Sequence, residues 1–427
     1  MLSSHVLVRS GRRLVCCHLL PLNPLHVDTM SIFIRRVAVA LSTPLLLGIA
    51  SCGSNVPSTI KESSEPAPNP SQVSKPKSVS KPKPKLDATL LQEAPHLFLK
   101  PDGGVHARWI TNGAMQTRQF AKGEPVVLEE WAHLLGDSLQ LEVPTSPKCK
   151  WDAPTKMLAL SDVEGEYDSL LKFLTSNHVV DAKGHWAYGN GHLVGVGDMV
   201  DPGDQVTEVL WLFYRLSLEA NAAGGHVHFI LGNHEAMMMG GDVRYTNQKY
   251  FHAAKMLGVT CEGLIGADTV IGRWLRTRNC IERVGDYLFV HAGLSPQVVG
   301  DALDYEGINE KVRSVLGVRP ETLTNNEAVR LSWSRSGPLW YRGYFPRHAQ
   351  DFGPTPTNAD FQAILKASEA RHIVVGHTKV TRVATMYEGG LIPIDVPWTD
   401  PVNVRGLLVR GDTVGLVDID AASFALQ

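Results

Sequence analysis

The stretch KMLALSDVEG, residues 156–165, joins a short apolar run to a loop that carries two carboxylates. An apolar run of this length, followed by a polar loop and an amphipathic helix from about Tyr167 to Asn177, is typical of a buried strand in an α/β protein. Because strands alternate with helices along this part of the chain, the pattern predicts an α/β fold with a parallel or mixed sheet covered by helices. Four further strands are predicted at HLVGVG (192–197), HVHFIL (226–231), YLFV (287–290) and HIVVG (372–376), with a helix from about Gln205 to Ala223 after the first of them.

The two ends of the folded part show a different pattern. HLFLK (96–100) and VHARWITN (105–112) predict a small β element early in the folded part. Three closely spaced segments near the end are predicted to be antiparallel strands, namely LIPID (391–395), VRGLLVR (404–410) and TVGLVDID (413–420).

Polar side chains follow each of the five central strands. In α/β folds, ligands bind at the carboxyl ends of the strands, so these side chains are expected at one rim. A single Asp at a strand end is usually a helix N-cap, but five successive strand ends with Asp, Glu, Asn and His predict ligands suited to Mn, Fe or Zn. Two divalent ions about 3.5–4 Å apart can clamp a phosphate, and Asp198 is the candidate carboxylate to bridge them. The segments are SDVEG (161–165), GDMVDPG (197–203), GNHE (232–235), HAG (291–293) and GHT (376–378).

This series of motifs resembles the calcineurin-like metallophosphoesterase family, in particular its phosphoprotein-phosphatase branch and the Shewanella-like protein phosphatases. The resemblance covers about residues 156–395, and GDVRY (241–245) and GPLWYR (337–342) are similar to Shewanella-like signatures. It implies an α/β fold of the metallophosphoesterase type, a β-sandwich of mixed sheets flanked by helices, with a dinuclear metal site at the strand carboxyl ends. The metal ligands that it implies are Asp162, Glu164, Asp198, Asn233, His291 and His377.

The resemblance also implies roles for residues beside the ligands. His234 would be the general acid that protonates the leaving oxygen, and Asp201 would orient it. Phosphorus would be attacked by a metal-bound hydroxide, without a covalent enzyme intermediate.

Two departures from the family pattern bear on this site. Glu164 stands where the family usually has His, which favours Mn²⁺ or Fe, with Zn²⁺ as the alternative. Pro202 stands where the family usually has an Arg that grips the substrate phosphate. Because a phosphate dianion still needs charge-assisted donors, Arg244 and Arg342 are predicted to supply them. The alternative for Arg342 is a surface cation stacked on a neighbouring aromatic ring.

The segment before the folded part predicts export. Residues 1–29 are interpreted as an over-extended start and 30–51 as a lipoprotein signal peptide, because IASC (49–52) resembles a bacterial lipobox with Cys52 as the lipidated residue. A plain signal peptide or a short anchor helix is the alternative. Residues 52–86 are rich in Pro, Ser and Lys and are predicted to be a disordered tether. The remaining divisions are 87–150, an N-terminal extension, and 151–427, the catalytic domain. Together they predict an exported bacterial lipoprotein, membrane-anchored on the periplasmic or cell-surface side.

The net charge of the 427 residues conceals two unlike parts. The whole chain has 41 basic and 43 acidic residues, but the part before residue 87 has eleven basic and three acidic ones. The folded part therefore carries a net charge of −10, which argues against a nucleic-acid partner. The basic tether would favour an anionic membrane surface. The folded part also contains Cys149, Cys261 and Cys280 without CxxC spacing, and the sequence leaves their disulfide status open.

These observations predict a hydrolase, a dinuclear metallophosphatase that acts on phosphomonoesters in a protein, peptide or nucleotide. The family branch implies a phosphoprotein substrate. One alternative is a nucleotide or dinucleoside-polyphosphate hydrolase. Another is a non-catalytic, metal-stabilised binding lipoprotein, which the replacements at Glu164 and Pro202 support. Retention of Asp201 and His234 argues against that alternative, because a binding protein needs no general acid.

Overall fold

The structure is a computed structural model that describes residues 87–300, 303–324 and 326–427. The predicted over-extended start, signal peptide, lipidated Cys52 and tether lie outside the described residues. Within the described part, no helix is both long and apolar enough to cross a bilayer.

The strands and helices alternate through the middle of the described chain, as predicted. The strands are β1 (Glu93–Leu99), β2 (Val105–Thr111), β3 (Ala114–Phe120), β4 (Lys150–Trp151), β5 (Lys156–Leu160), β6 (His192–Val196), β7 (His226–Ile230), β8 (Ile281–Val284), β9 (Tyr287–Val290), β10 (His372–Val375), β11 (Leu391–Pro393), β12 (Arg405–Arg410), β13 (Thr413–Asp418) and β14 (Ser423–Ala425). The helices are α1 (Ala132–Leu135), α2 (Tyr167–Ser176), α3 (Val206–Ala222), α4 (Asn233–Met239), α5 (Gln248–Leu257), α6 (Val270–Leu275), α7 (Pro296–Val299), α8 (Tyr305–Arg313), α9 (Glu327–Trp333), α10 (Ala349–Phe352) and α11 (Asn358–Ala367).

Two mixed sheets share an apolar core and form the predicted β-sandwich. One has the strand order β14-β13-β12-β5-β6-β7 and the other the order β11-β10-β9-β8-β4. Met157 and Ala159 of β5 pack with Phe289 of β9 in the core common to both sheets. The alternate residues Leu158 and Leu160 belong to the core that the helices cover. Since successive side chains of a strand point to opposite faces, this burial on both sides explains the continuous apolar run.

The predicted strands and the two predicted helices α2 and α3 are confirmed, but one pairing was predicted wrongly. LIPID is not antiparallel to its neighbour, because β11 pairs in parallel with β10, with Leu391 opposite Ile373. The loop after β11 carries the chain to the other sheet, where β12 and β13 pair antiparallel as expected. Strand β8 was not predicted because its Glu282 suggests exposure, whereas this carboxylate is buried against His228 at 2.6 Å.

The early β element is a three-stranded antiparallel sheet, β1-β2-β3, that packs on α3, α5 and α6. Buried Glu93 of β1 connects this sheet to α3 and α5. Its carboxylate accepts a hydrogen bond from Thr207 Oγ1 at 2.5 Å and lies 3.0 Å from Lys249 Nζ. The predicted division between 150 and 151 falls inside β4. The three cysteines of the folded part, Cys149, Cys261 and Cys280, are buried free thiols.

Candidate functional site

The carboxyl ends of strands from both sheets meet at one rim. The ring nitrogen Nδ1 of His291, which follows β9, lies 2.8 Å from the carbonyl oxygen of Val196 at the end of β6. The N–H of Gly376, after β10, donates to the carbonyl of His291 at 2.8 Å. The N–H of Asp162, after β5, donates to the carbonyl of Gly197 at 3.0 Å. These bonds bring the predicted motifs of the two sheets together.

Five of the six predicted metal ligands contact one another. Asp198, His291 and His377 are buried and each places a possible ligand atom within 4.8 Å of the others. His291 Nε2 lies 3.2 Å from Asp198 Oδ2 and 3.1 Å from Asn233 Oδ1. Both oxygens of Asp162 accept the backbone N–H of His377 at 3.1 Å. The set of oxygen and imidazole donors matches what a hard or borderline divalent cation requires.

Glu164, the sixth predicted ligand, lies at the edge of this group. Its side chain is 21% exposed, and both of its oxygens are 3.1 Å from Lys379 Nζ. Lys379 was not predicted from the sequence, although it immediately follows the GHT motif. The pair places one cation at the mouth of the site.

The backbone at these residues is held in a conformation that L-residues rarely adopt. The φ angles are 51° at Asp162, 55° at Glu164, 52° at Asp198, 50° at Asp201 and 62° at His377. Left-handed conformations in non-glycine residues cost of the order of 1–3 kcal/mol each and cluster at functional sites. Their coincidence with the strand-end motifs supports a functional role for this rim.

Two glycines allow the loops to approach the carboxylates. A Cβ atom at Gly232 would lie 2.2 Å from Asp198 Oδ1, and one at Gly376 would lie 2.2 Å from Asp162 Oδ2. Both separations are far below van der Waals contact, so the GNHE and GHT motifs require glycine at these positions.

Glu235, the last residue of GNHE, holds two of the loops together, a role that was not predicted from the sequence. Its fully buried carboxylate accepts backbone N–H groups of four residues. The donors are Asp198 at 3.0 Å, Met199 at 2.8 Å, Val200 at 3.2 Å and Gly232 at 2.7 Å. A carboxylate is acceptor-only, so it suits a position that is surrounded by backbone donors.

Replacing Glu235 by Gln is expected to destabilise the fold by about 2–3 kcal/mol, because hydrogen bonds to a charged acceptor weaken and one N–H group faces an amide donor. Urea unfolding of the full chain measures the change. Glu219→Gln, which alters a part-exposed carboxylate on α3, is the comparison and should cost less. Equal stability of Glu235→Gln and the parent chain would contradict the role assigned to this carboxylate.

His234 lies beside the ligand group and is partly exposed. Its backbone N–H donates to Asp198 Oδ1 at 2.9 Å, and its Nε2 is 3.8 Å from Asp198 Oδ2. Tyr245 stacks on its ring with 5.0 Å between the ring centroids and an angle of 20°. This aromatic contact, within the GDVRY segment, was not predicted.

Asp201 is buried near His234 but bonds to another residue. Its Oδ2 accepts from Thr246 Oγ1 at 3.0 Å. Among the described residues, neither Asp201 Oδ1 nor His234 Nδ1 has a hydrogen-bond partner. Burial raises the pKa of Asp201 to about 6. The two side chains are therefore not hydrogen-bonded to each other in this structure, and the orienting role of Asp201 stays a prediction.

The two predicted phosphate-binding arginines differ in position. Arg342 is half-buried, donates from Nη1 to the carbonyl of His377 at 2.6 Å, and has Nη2 3.5 Å from His377 Nδ1. It therefore lies at the ligand group and not on the outer surface. Arg244 instead forms two hydrogen bonds, of 2.8 and 2.5 Å, with the carboxylate of Asp242.

The site concentrates negative charge away from water. Burial, and beyond it the charges of Asp395 and Asp198, hold the pKa of Asp162 well above its usual value. Although burial opposes it, Asp198 raises the pKa of His291 to about 10. Asp395 was not predicted as a site residue. A bound cation would relieve the repulsion among these carboxylates.

Comparison with known proteins agrees with this geometry. The family model described as calcineurin-like phosphoesterase matches residues 155–380. The chain is similar to the crystal structure of the cold-active protein-tyrosine phosphatase of a psychrophile Shewanella sp., with 33% identity, a TM-score of 0.71, and 79% of this chain and 99% of that chain covered.

Two curated relatives also match. One is Shewanella-like protein phosphatase 2 of Arabidopsis thaliana, 26% identical over 206 residues, covering 38% of this chain and 52% of the relative. The other is Shewanella-like protein phosphatase 1 of Plasmodium berghei, 25% identical over 234 residues, covering 54% of this chain and 62% of the relative. The chain thus spans between half and two thirds of the length of these relatives. With the family model matching more than half of its residues, the chain belongs to the calcineurin-like phosphoesterase family of hydrolases.

Proposed function

We propose that this protein is a metal-dependent phosphomonoesterase that removes phosphate from phosphoproteins. The observation that carries the proposal is the buried group Asp198, His291 and His377, with His234 beside Asp198 at the same rim. Ligands for a cation and a proton donor for a leaving group are the two components that phosphate ester hydrolysis needs.

The side chains present fit two metal ions. Asp162, Asp198 and Glu164 supply carboxylates, and burial together with the charge of Asp395 holds the pKa of Asp162 well above its usual value. Such a carboxylate-rich set favours Mn²⁺ or Fe over Zn²⁺, so we propose Mn²⁺ or Fe as the native metals. When bound, two such ions neutralise phosphate charge and activate water.

Arg342 is the side chain best placed to bind the substrate phosphate. Its guanidinium is anchored on the His377 carbonyl and keeps its second nitrogen near the ligand group. A planar guanidinium at this position can donate to two phosphate oxygens at once, which a single ammonium cannot do with fixed geometry.

Arg342→Ala is expected to weaken inhibition by inorganic phosphate by about tenfold, since a charge-assisted pair contributes about 1.5–3 kcal/mol. Arg244→Ala should change it less than Arg342→Ala does, because Asp242 already engages that guanidinium. The measurement is the steady-state inhibition constant of inorganic phosphate for both variants and the parent chain. A larger effect for Arg244→Ala would transfer the phosphate-binding role to that residue.

His234 is proposed as the general acid for the leaving oxygen. Its Nε2 is held near Asp198, and the stacked ring of Tyr245 limits rotation of the imidazole. We propose that Asp201 orients it through the two atoms that have no partner, Oδ1 of Asp201 and Nδ1 of His234. A protein that only binds phosphate gains nothing from this pair.

The phosphoprotein substrate is supported by the matched relatives, whose names describe a protein-tyrosine phosphatase and protein phosphatases. The test compares the Mn²⁺-loaded full chain on a phosphotyrosine peptide, a phosphoserine peptide, a mononucleotide and a dinucleoside tetraphosphate. The proposal predicts a higher kcat/KM on one of the peptides than on either nucleotide. A preference for a nucleotide would move the protein to the alternative hydrolase class, and binding of phosphate without turnover would make it a binding lipoprotein.

We further propose that the protein is exported and anchored to a membrane through lipidated Cys52, with 52–86 as the tether to the folded part. The supporting features are the lipobox-like IASC and the composition of the segment that follows it. Fractionation of cells that express the parent chain or Cys52→Ser is the test. The account predicts that the parent chain sediments with membranes and that the variant does not. Equal distributions would argue against lipidation.

A further inference from the structure

Asp395 is a buried carboxylate that makes no hydrogen bond within the described residues. Asp395 is 1% exposed, and neither of its carboxylate oxygens accepts a hydrogen bond. Leaving a carboxylate buried and unpaired is costly, and such groups in proteins are normally paired or bound to a metal. Its burial and the lack of a donor among the described residues therefore make this carboxylate suited to bind a cation.

The backbone places Asp395 at the same rim as the site. It lies just beyond the carboxyl end of β11, which runs parallel to β10, and the N–H of Ile394 donates to the Val375 carbonyl at 2.8 Å. The N–H of Val380 donates to the Asp395 carbonyl at 2.9 Å, so the residue lies against the loop that follows His377. A sixth strand end thus contributes a carboxylate.

A second contact fixes the other side of this loop. Trp398, which is 2% exposed, donates from Nε1 to the carbonyl of Ser161 at 2.8 Å. Ser161 immediately precedes Asp162, so residues 395–398 bridge the loop of Asp162 and the loop of His377. After burial itself, the charge of Asp395 does most to raise the pKa of Asp162.

The neighbouring charges leave the position open for a cation. Lys379 lowers the pKa of Asp395, but its side chain is 58% exposed and its ammonium lies 3.1 Å from both oxygens of Glu164. Four carboxylates, those of Asp162, Glu164, Asp198 and Asp395, thus lie near two cationic side chains, Lys379 and Arg342, and the imidazoles. The carboxylates outnumber these two cations, so bound metal ions would offset the remaining negative charge.

We infer that Asp395 is a further ligand of the metal ion that Asp162 binds, added to the six residues predicted from the sequence. The inference rests on the proposed metal-dependent function. It assigns to the buried Asp395 the inner carboxylate position, and to Glu164, held by Lys379, the position toward the solvent. Asp198, Asn233, His291 and His377 would hold the other ion without help from Asp395.

The test is a count of bound Mn²⁺ on the full chain, with free Mn²⁺ followed by its electron paramagnetic resonance signal. After metal removal, the parent chain and Asp400→Asn should each bind two ions. Asp400 is the matched control because it lies on the same loop but is exposed, with its carboxylate bonded to Asn403 at 2.6 Å. Asp395→Asn should retain one ion, while the dissociation constant of the other rises by at least about tenfold, the lower bound for a residue that only supports a ligand.

Three results would overturn the inference. The first is that Asp395→Asn binds both ions with dissociation constants within about threefold of the parent values. Such a change is well below the tenfold rise expected for a ligand or for a residue that supports one. The second is a change confined to phosphate inhibition at saturating Mn²⁺, which would make Asp395 a residue that positions Arg342. The third is a metal-free Asp395→Asn that melts below the metal-free parent, because removal of an unpaired buried charge should preserve or raise Tm.

The two proposals fail separately. Loss of one ion in Asp395→Asn without turnover by the parent on any phosphate ester would contradict the proposed function and leave the ligand assignment intact. Turnover by the parent with both ions retained in Asp395→Asn would contradict the ligand assignment alone.

Discussion

Asp198→Asn is expected to lower metal-dependent phosphatase turnover by at least about 10⁴-fold, which corresponds to about 5.5 kcal/mol of transition-state stabilisation. Asp198 is the proposed bridge between the two ions, and it also contacts His291 and the backbone of His234. An amide has one acceptor oxygen and no charge, so it cannot hold two cations together. The variant should therefore lose the dinuclear arrangement as well as the charge.

The measurement is kcat on an aryl phosphate with saturating Mn²⁺, together with the number of ions bound. Asp400→Asn, which removes an exposed carboxylate from another loop, controls for the change in net charge. Asp198→Asn that keeps more than about a tenth of the parent turnover, a loss of less than 1.4 kcal/mol, would contradict the role of this residue as the bridge.

His234→Asn is expected to lower kcat by about 10²–10⁴-fold, the usual contribution of a general acid. The loss should depend on the leaving group. A phosphoserine peptide expels a strongly basic alkoxide and needs the proton, whereas a nitrophenyl phosphate expels a weak base and needs it much less. The difference between the two losses separates general acid catalysis from a structural role.

The control for this variant is His252→Asn, which alters an exposed imidazole on α5. The account predicts near-parent activity for the control on both substrates. A loss in His234→Asn of equal size on the alkyl and aryl esters would show that the imidazole acts by binding or positioning, and would remove it from the proton transfer step.

The sequence predicted which residues lie together at the rim where each of them belongs to a strand-end motif. Asp198, His291 and His377 follow apolar runs directly, and the rule that parallel strands present their carboxyl ends at one edge was sufficient to bring them together. The rule does not depend on which sheet holds the strand. The residues therefore lie together even though β5, β6 and β7 belong to one sheet and β9 and β10 to the other.

Residues whose role depends on contacts between segments far apart in the chain were not predictable in the same way. Glu235 accepts N–H groups from a loop more than thirty residues earlier in the chain, and no local spacing indicates such a contact. Asp395 was overlooked because LIPID was taken to pair antiparallel, which would not require its end to lie at the rim. Parallel pairing of β11 with β10 is what brings Asp395 beside the loop of His377.

The arginines show the limit of choosing donors by proximity along the chain. Arg244 follows GNHE closely, but Asp242, only two residues earlier, captures its guanidinium. Arg342 is at least 35 residues from every ligand in sequence and contacts the nearest of them, His377, through its backbone carbonyl. A local ion pair outcompetes a distant target because it costs less chain ordering.

We propose that this chain hydrolyses phosphate monoesters by means of two metal ions held at the rim. It is tested most directly by adding Mn²⁺ in steps to the metal-free full chain and following hydrolysis of an aryl phosphate and ion binding in the same samples. The account predicts turnover that rises with the second ion and levels off at two ions per chain. Two bound ions without hydrolysis of an aryl phosphate, a phosphopeptide or a nucleotide would contradict it.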